Sequence, residues 1–204
     1  MLLCGPPGSG KTTLYHQLLF GAAVRTVPSS QVQAILAPLH HEPAGAAPRS
    51  LVDCPGAARF RSQLLRFARE CSAVLVVVGA AGGAEQVRGA AAALYDLYTD
   101  AAVVARAPRV LVVGSRADEA GPEPLPALRQ ALERELQRLK ATRSSGSAGG
   151  SGEALLLGAP GADFTFAGEA PWAAPEWECA SAVGAGVAGA APGLQGVRRF
   201  LSSL

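Results

Sequence analysis

The stretch GPPGSGKT at residues 5–12 constrains the fold of this chain more than any other. It is a complete G-x-x-x-x-G-K-[ST] pattern, in which glycines let the backbone curl until successive N–H groups converge on an anion. Such a loop needs a strand in front of it and a helix behind it. Gly5, Gly8 and Gly10 supply the curl, and Ser9, Lys11, Thr12 and Thr13 complete a candidate phosphate-binding set. Lys11 suits the bridging of β- and γ-phosphate oxygens, and the Thr12 hydroxyl suits ligation of Mg²⁺. The following helix adds the positive end of its dipole. The pattern implies a nucleoside triphosphate and leaves the base open.

The apolar runs alternate with helical patterns, as in successive βαβ units around a parallel sheet. Strands are expected over 1–4, 33–38, 50–53, 73–78, 109–113 and 176–179, and helices over 11–19, 59–70, 84–100, 123–140 and 193–201. VLVVV at 74–78 and RVLVVG at 109–114 are continuous runs rich in β-branched residues, as central strands covered on both faces require. Leu128, Leu132, Leu136 and Leu139 recur at helical spacing and form one stripe facing the core. Between 141 and 175 the pattern breaks, and SSGSAGGSG at 144–152 has nothing to bury. The expected architecture is a three-layer α/β P-loop NTPase: one domain over 1–204, a mostly parallel six-stranded sheet with helices on both faces, and a low-complexity insertion at about 141–175.

Composition removes several function classes. A net charge of +2 gives no bulk field for nucleic acid or an anionic membrane. Cys4, Cys54, Cys71 and Cys179 are scattered, with no zinc spacing, so a reduced, cytosol-facing setting is expected. No apolar run reaches the ~18 residues of a membrane span. Only Leu2, Leu3 and Cys4 stand between Met1 and the glycine-rich loop, so the natural chain is expected to extend further toward the N-terminus.

Three further segments fall where nucleotide chemistry needs them. DCPG at 53–56 follows an apolar strand, placing Asp53 near the metal and letting the Gly56 N–H sense a γ-phosphate. SRAD at 115–118 ends the fifth strand, where GTPases carry N-K-x-D. Asp118 matches the carboxylate that accepts two hydrogen bonds from guanine, a pair adenine does not supply. Ser115 replaces asparagine and Arg116 replaces lysine at the base edge and the stacking stem. ECASA at 178–182 follows the last strand and resembles the S-A-K loop, whose backbone N–H contacts guanine O6, which makes Ser181 and Ala182 candidates for that place. TVPSS at 26–30 supplies the switch hydroxyl for Mg²⁺: Ser29 is preferred, with Ser30 and Thr26 as rivals. The metal set is thus Thr12, Ser29 and Asp53. Together the motifs define a Ras-like GTPase fold binding GTP or GDP with Mg²⁺. Fast GTPases carry Gln or His directly after this DxxG motif, where this chain has Ala57. No catalytic residue is assigned, and very slow intrinsic hydrolysis is expected.

On these motifs the chain resembles the family of signal recognition particle receptor beta subunits, a branch near the Arf-type GTPases. TVPSS resembles that family's switch I, with Ser29 where Arf-type proteins keep their magnesium threonine. DCPG, RFRSQLLRF, ATRS, DFTF and WECAS follow its pattern in order along the whole chain. SRAD departs from the family's usual N-K-x-D. The resemblance implies a GTP-loaded subunit that binds the N-terminal domain of the receptor alpha subunit through its switch loops. It further implies protein targeting at the cytoplasmic face of the endoplasmic reticulum membrane, a membrane anchor outside this chain, and the ribosome or translocon as further partners. No direct contact with nucleic acid is expected. An Arf-type trafficking GTPase would carry Gln at position 57, and a nucleotide kinase would need a basic lid; neither feature is present. An interaction module without nucleotide is the remaining rival.

Overall fold

A computed structural model describes all residues except 25, 28, 121–123, 145–154, 160 and 182–192. The elements run β1 (Leu2–Cys4), α1 (Lys11–Phe20), β2 (Gln33–Ala37), β3 (Arg49–Asp53), a one-turn 3-10 helix (Ala58–Phe60), α2 (Arg61–Ala68) and β4 (Ala73–Gly79). They continue with α3 (Gly83–Thr99), α4 (Ala101–Arg106), β5 (Arg109–Ser115), α5 (Pro124–Ser144), β6 (Glu176–Ala180) and α6 (Gln195–Ser202). The six strands form one sheet in the order β2-β3-β1-β4-β5-β6. Only β2 runs antiparallel, pairing Gln33 with Asp53 and Ala37 with Arg49.

All seven residues of β4 are buried, which its run of valines demands, because both faces of a central strand lie under helices. Val74, Val76 and Val78 join the core beneath α2, α3 and α5, while Ala73, Leu75 and Val77 join the core beneath α1 and α6. The leucine stripe of α5 behaves as its spacing predicts: Leu128, Leu132 and Leu136 are buried and Leu139 packs partly against the same core.

Two departures from the sequence expectations have clear causes. The helix expected to run to residue 100 stops at Thr99, and a short α4 follows. Asp100 leaves helical geometry, accepts a hydrogen bond from the Val103 N–H at 3.0 Å, and pairs with Arg69 at 2.7 Å. An Asp that caps a new helix ends the old one. The second departure is α5, which continues to Ser144, with a polar face that organises what comes after it. Glu133 and Gln137 accept the backbone N–H groups of Phe166 and Phe164 at 3.0 and 2.9 Å, and Lys140 donates to the carbonyls of Ala159 and Ala162. DFTF at 163–166 is a loop segment that enters a turn closed by the Glu169 N–H on the Thr165 carbonyl, and its two phenylalanines plug the core beside Tyr98 and Trp177. Most of SSGSAGGSG lies outside the described residues.

Candidate nucleotide site

The loop 5–12 leaves β1 and curls into α1 with left-handed backbone at Gly5, Gly8 and Gly10. A side chain at Gly5 would strike the Val77 carbonyl of β4, so glycine is required there by space as well as by conformation. Lys11 is buried, and its ammonium donates to the Pro6 carbonyl at 2.7 Å and to Ser9 Oγ at 3.4 Å. Burial holds its pKa below the ordinary lysine value, and the Asp53 carboxylate partly offsets this.

Asp53 ends β3 directly beneath that loop and is wholly buried. Thr12 Oγ1 donates to Asp53 Oδ2 at 2.7 Å, and Ser29 Oγ lies 2.9 Å from Thr12 Oγ1. The single Thr12 hydroxyl hydrogen is committed to the carboxylate, so Ser29 is the donor of the second bond. Burial pushes the Asp53 carboxyl above its ordinary value, opposed by the Thr12 hydrogen bond and the Lys11 charge. Asp53 Oδ1 is buried without a partner. A buried carboxylate oxygen left open next to two hydroxyls is a donor set suited to a hard cation such as Mg²⁺. Among the described residues no cluster of three His, Cys, Asp or Glu could hold a metal. Any ion here would therefore rest on these few oxygens together with those of a ligand. Of the rival hydroxyls, Thr26 lies 3.3 Å from Thr13 Oγ1, and Ser30 lines the cavity without a bond to Thr12.

A cavity of about 470 Å³ opens over this centre, lined by Gly8, Lys11, Thr12, Ser29, Gly56 and Arg116 among others. Gly56 packs against the backbone of the glycine-rich loop, where a side chain would meet Pro7 N at 2.6 Å. Ala57 also lines the cavity and has no polar side-chain atom. A larger groove of about 870 Å³ lies between α3 and α5. It holds none of the motif residues that bear on phosphate or base, so the smaller cavity is the candidate site.

SRAD and the end of β6 meet on the other side. Ser181 Oγ donates to Asp118 Oδ1 at 2.6 Å, and the Ala117 N–H reaches the Ala180 carbonyl. Asp118 is exposed and Ser181 buried, so the serine fixes the carboxylate from below. Ala182 lies outside the described residues. The Ser115 hydroxyl turns inward, donating to the Ser9 carbonyl at 2.5 Å and contacting the Val78 carbonyl at 3.2 Å. It anchors the phosphate-loop backbone instead of facing the base edge. Arg116, in left-handed backbone, lies across Gly79 and pairs with Glu119 at 3.5 Å.

Sequence reasoning missed Gln86 in the first turns of α3. Its amide nitrogen donates to the Pro7 carbonyl at 2.8 Å and its oxygen accepts the Gly79 N–H at 3.3 Å, clamping the glycine-rich loop to the end of β4. No local pattern marks it, since a glutamine on an alanine-rich helix reads as solvent-facing.

The glycine-rich loop at the carboxyl end of β1 and the switch-point position of the cavity define the class: this is a Ras-like P-loop GTPase fold. The family model described as signal recognition particle receptor beta subunit matches residues 1–168. The chain belongs to that family. The mouse signal recognition particle receptor subunit beta is 29% identical over 208 aligned residues, which cover all of this chain and 76% of the mouse protein. The solved mammalian signal recognition particle receptor aligns with TM-score 0.70 at 27% identity, covering 99% of this chain and 97% of that one. A Chaetomium thermophilum SRb-GTP/SRX complex aligns with TM-score 0.71 at 22% identity, covering 99% and 98%, and attests the fold. Among the described residues no helix is long and apolar enough to cross a membrane.

Proposed function

We propose that this chain binds guanine nucleotide with Mg²⁺ and acts as the nucleotide-switched beta subunit of a signal recognition particle receptor. In its GTP form it joins the N-terminal domain of the receptor alpha subunit through the loop 26–30 and the segment 56–60. The work is co-translational targeting at the cytoplasmic face of the endoplasmic reticulum membrane, by one GTPase domain. The observation that carries this reading is the convergence of Ser29 and Asp53, both distant in sequence, on the Thr12 hydroxyl under the glycine-rich loop, at 2.9 and 2.7 Å. Lys11 and the loop amides would grip the phosphates, Asp118 held by Ser181 would select guanine, and Mg²⁺ would neutralise phosphate charge between Thr12, Ser29 and Asp53. Lacking a polar side chain, Ala57 leaves the attacking water unoriented, which favours a long-lived GTP state serving as an assembly signal.

The test is capture of the purified alpha-subunit N-terminal domain by this chain loaded with a non-hydrolysable GTP analogue, with GDP, or with no nucleotide. Capture with the analogue only, lost in Lys11→Ala, supports the switch. Equal capture in all three states, with no GTP binding by calorimetry, would replace it with a nucleotide-independent interaction module.

A further inference from the structure

The cavity carries more positive charge than the phosphate loop alone supplies. Among the described residues its lining includes Lys11, Arg59 and Arg116 and no carboxylate; Asp53 lies beneath it with one oxygen bonded to Thr12. Two of these cations are engaged: Lys11 with the Pro6 carbonyl and Arg116 with Glu119. Arg59 differs. It stands on the one-turn 3-10 helix directly after Gly56 and Ala57, is exposed, and has no ion-pair partner among the described residues. Nearby, Arg61 on α2 pairs with Asp96 and Arg69, just past the end of α2, pairs with Asp100, each at 2.7 Å, while Arg66 stacks on Phe67 and does not line the cavity. Among the described residues Arg59 rests on the ring of Phe60, with its guanidinium carbon 4.9 Å from the centroid. Stacking of that kind fixes the plane of a guanidinium while leaving its edge of N–H donors free.

We infer that Arg59 is a specificity-determining residue that binds the terminal phosphate of a nucleoside triphosphate and so distinguishes it from a diphosphate. The inference rests on the cavity being a guanine-nucleotide site. Arg59 enters from the Gly56 side, where the Ala57 side chain carries no donor, while Arg116 enters from the SRAD side. A guanidinium edge matches two phosphate oxygens at once, so its contribution depends on those oxygens being present. Since the 3-10 helix leads straight into α2, engagement of Arg59 also fixes the start of that helix in the triphosphate state. The arginine takes no proton and does not replace a water-orienting group, so it raises triphosphate preference without making hydrolysis fast.

Affinities for a fluorescent non-hydrolysable GTP analogue and for fluorescent GDP, both with Mg²⁺, would be measured on wild type, Arg59→Ala, Arg59→Lys and Lys11→Ala. The expected result is about a ten-fold loss of analogue affinity in Arg59→Ala with GDP affinity nearly unchanged. Arg59→Lys should recover part of the loss, and Lys11→Ala should weaken both ligands. Hydrogen exchange at residues 58–60 should slow on adding the analogue to wild type and not to Arg59→Ala. Because Arg59 is exposed, an unchanged Tm confirms that the variant folds. A loss shared equally by analogue and GDP, or no loss at all, overturns the role of Arg59 and leaves the nucleotide site standing. Failure of wild type to bind either ligand overturns both.

Discussion

Asp53 sits under opposed demands. As a buried carboxylate its pKa is raised above the ordinary 3.8, chiefly by loss of water, while Thr12 and Lys11 pull it back. A native pKa above the unfolded one means that the folded state holds the proton more tightly. This group therefore adds stability as pH falls through the raised value, and costs stability at neutral pH, where it is charged. Asp53→Asn keeps an oxygen to accept from Thr12 and removes the charge. The variant should melt higher than wild type without nucleotide, by about 1 kcal/mol, while losing the Mg²⁺ dependence of GTP affinity. Thermal melts with and without Mg²⁺ and nucleotide measure both, and a lower Tm for the variant would contradict the account. Lys11, Thr12 and Asp53 were legible because their spacing is dictated by backbone curl and strand ends. Ser29 stood among three hydroxyls until the fold set it 2.9 Å from Thr12. Gln86 and the inward turn of Ser115 were not legible, since each bonds to backbone 79 or 106 residues away.

Elements written by apolar periodicity were the easiest to read, and their ends were the hardest. The β4 and β5 runs and the α5 stripe follow from burial alone, whereas the break between α3 and α4 depends on one side chain. Asp100 caps α4 and receives both Arg69 donors, and that hydrogen bonding, first among the causes, holds its pKa below the ordinary 3.8. Its contribution is full above that ordinary value and is lost as pH falls through the lower native one. Asparagine caps a helix as well as aspartate does, so Asp100→Asn should keep the cap, lose the charge pairing with Arg69, and be slightly less stable than wild type at neutral pH. The gap between variant and wild type should close when urea unfolding is repeated at increasingly acid pH below 3.8; a gap that widens would refute it. The outer face of α5 shows the same limit of local reading. Glu133, Gln137 and Lys140 look like a solvated stripe in sequence, yet they hold the backbone of the segment carrying Phe164 and Phe166.

For the whole molecule, the consequence is a core that depends on residues far from the motifs. Phe166 is 1% exposed and stacks edge-on with Phe164 and Trp177 at 5.3 and 5.2 Å. Phe166→Ala should destabilise the fold by about 3–5 kcal/mol, read from denaturant unfolding, with GTP affinity unchanged in the folded fraction. An accompanying loss of affinity would mean that this segment supports the site directly. What the sequence determined by itself was the order of strands and helices, the two-sided burial of the central sheet and the position of the phosphate loop. Those features depend on nearest neighbours along the chain: β-branched runs, helical spacing, and glycines that permit the curl. Tertiary structure alone decided which hydroxyl joins Thr12, which side chains clamp the loop, and that a weakly patterned stretch after α5 closes the core. Such contacts are set by distance in space between residues distant in sequence, and no local pattern encodes them.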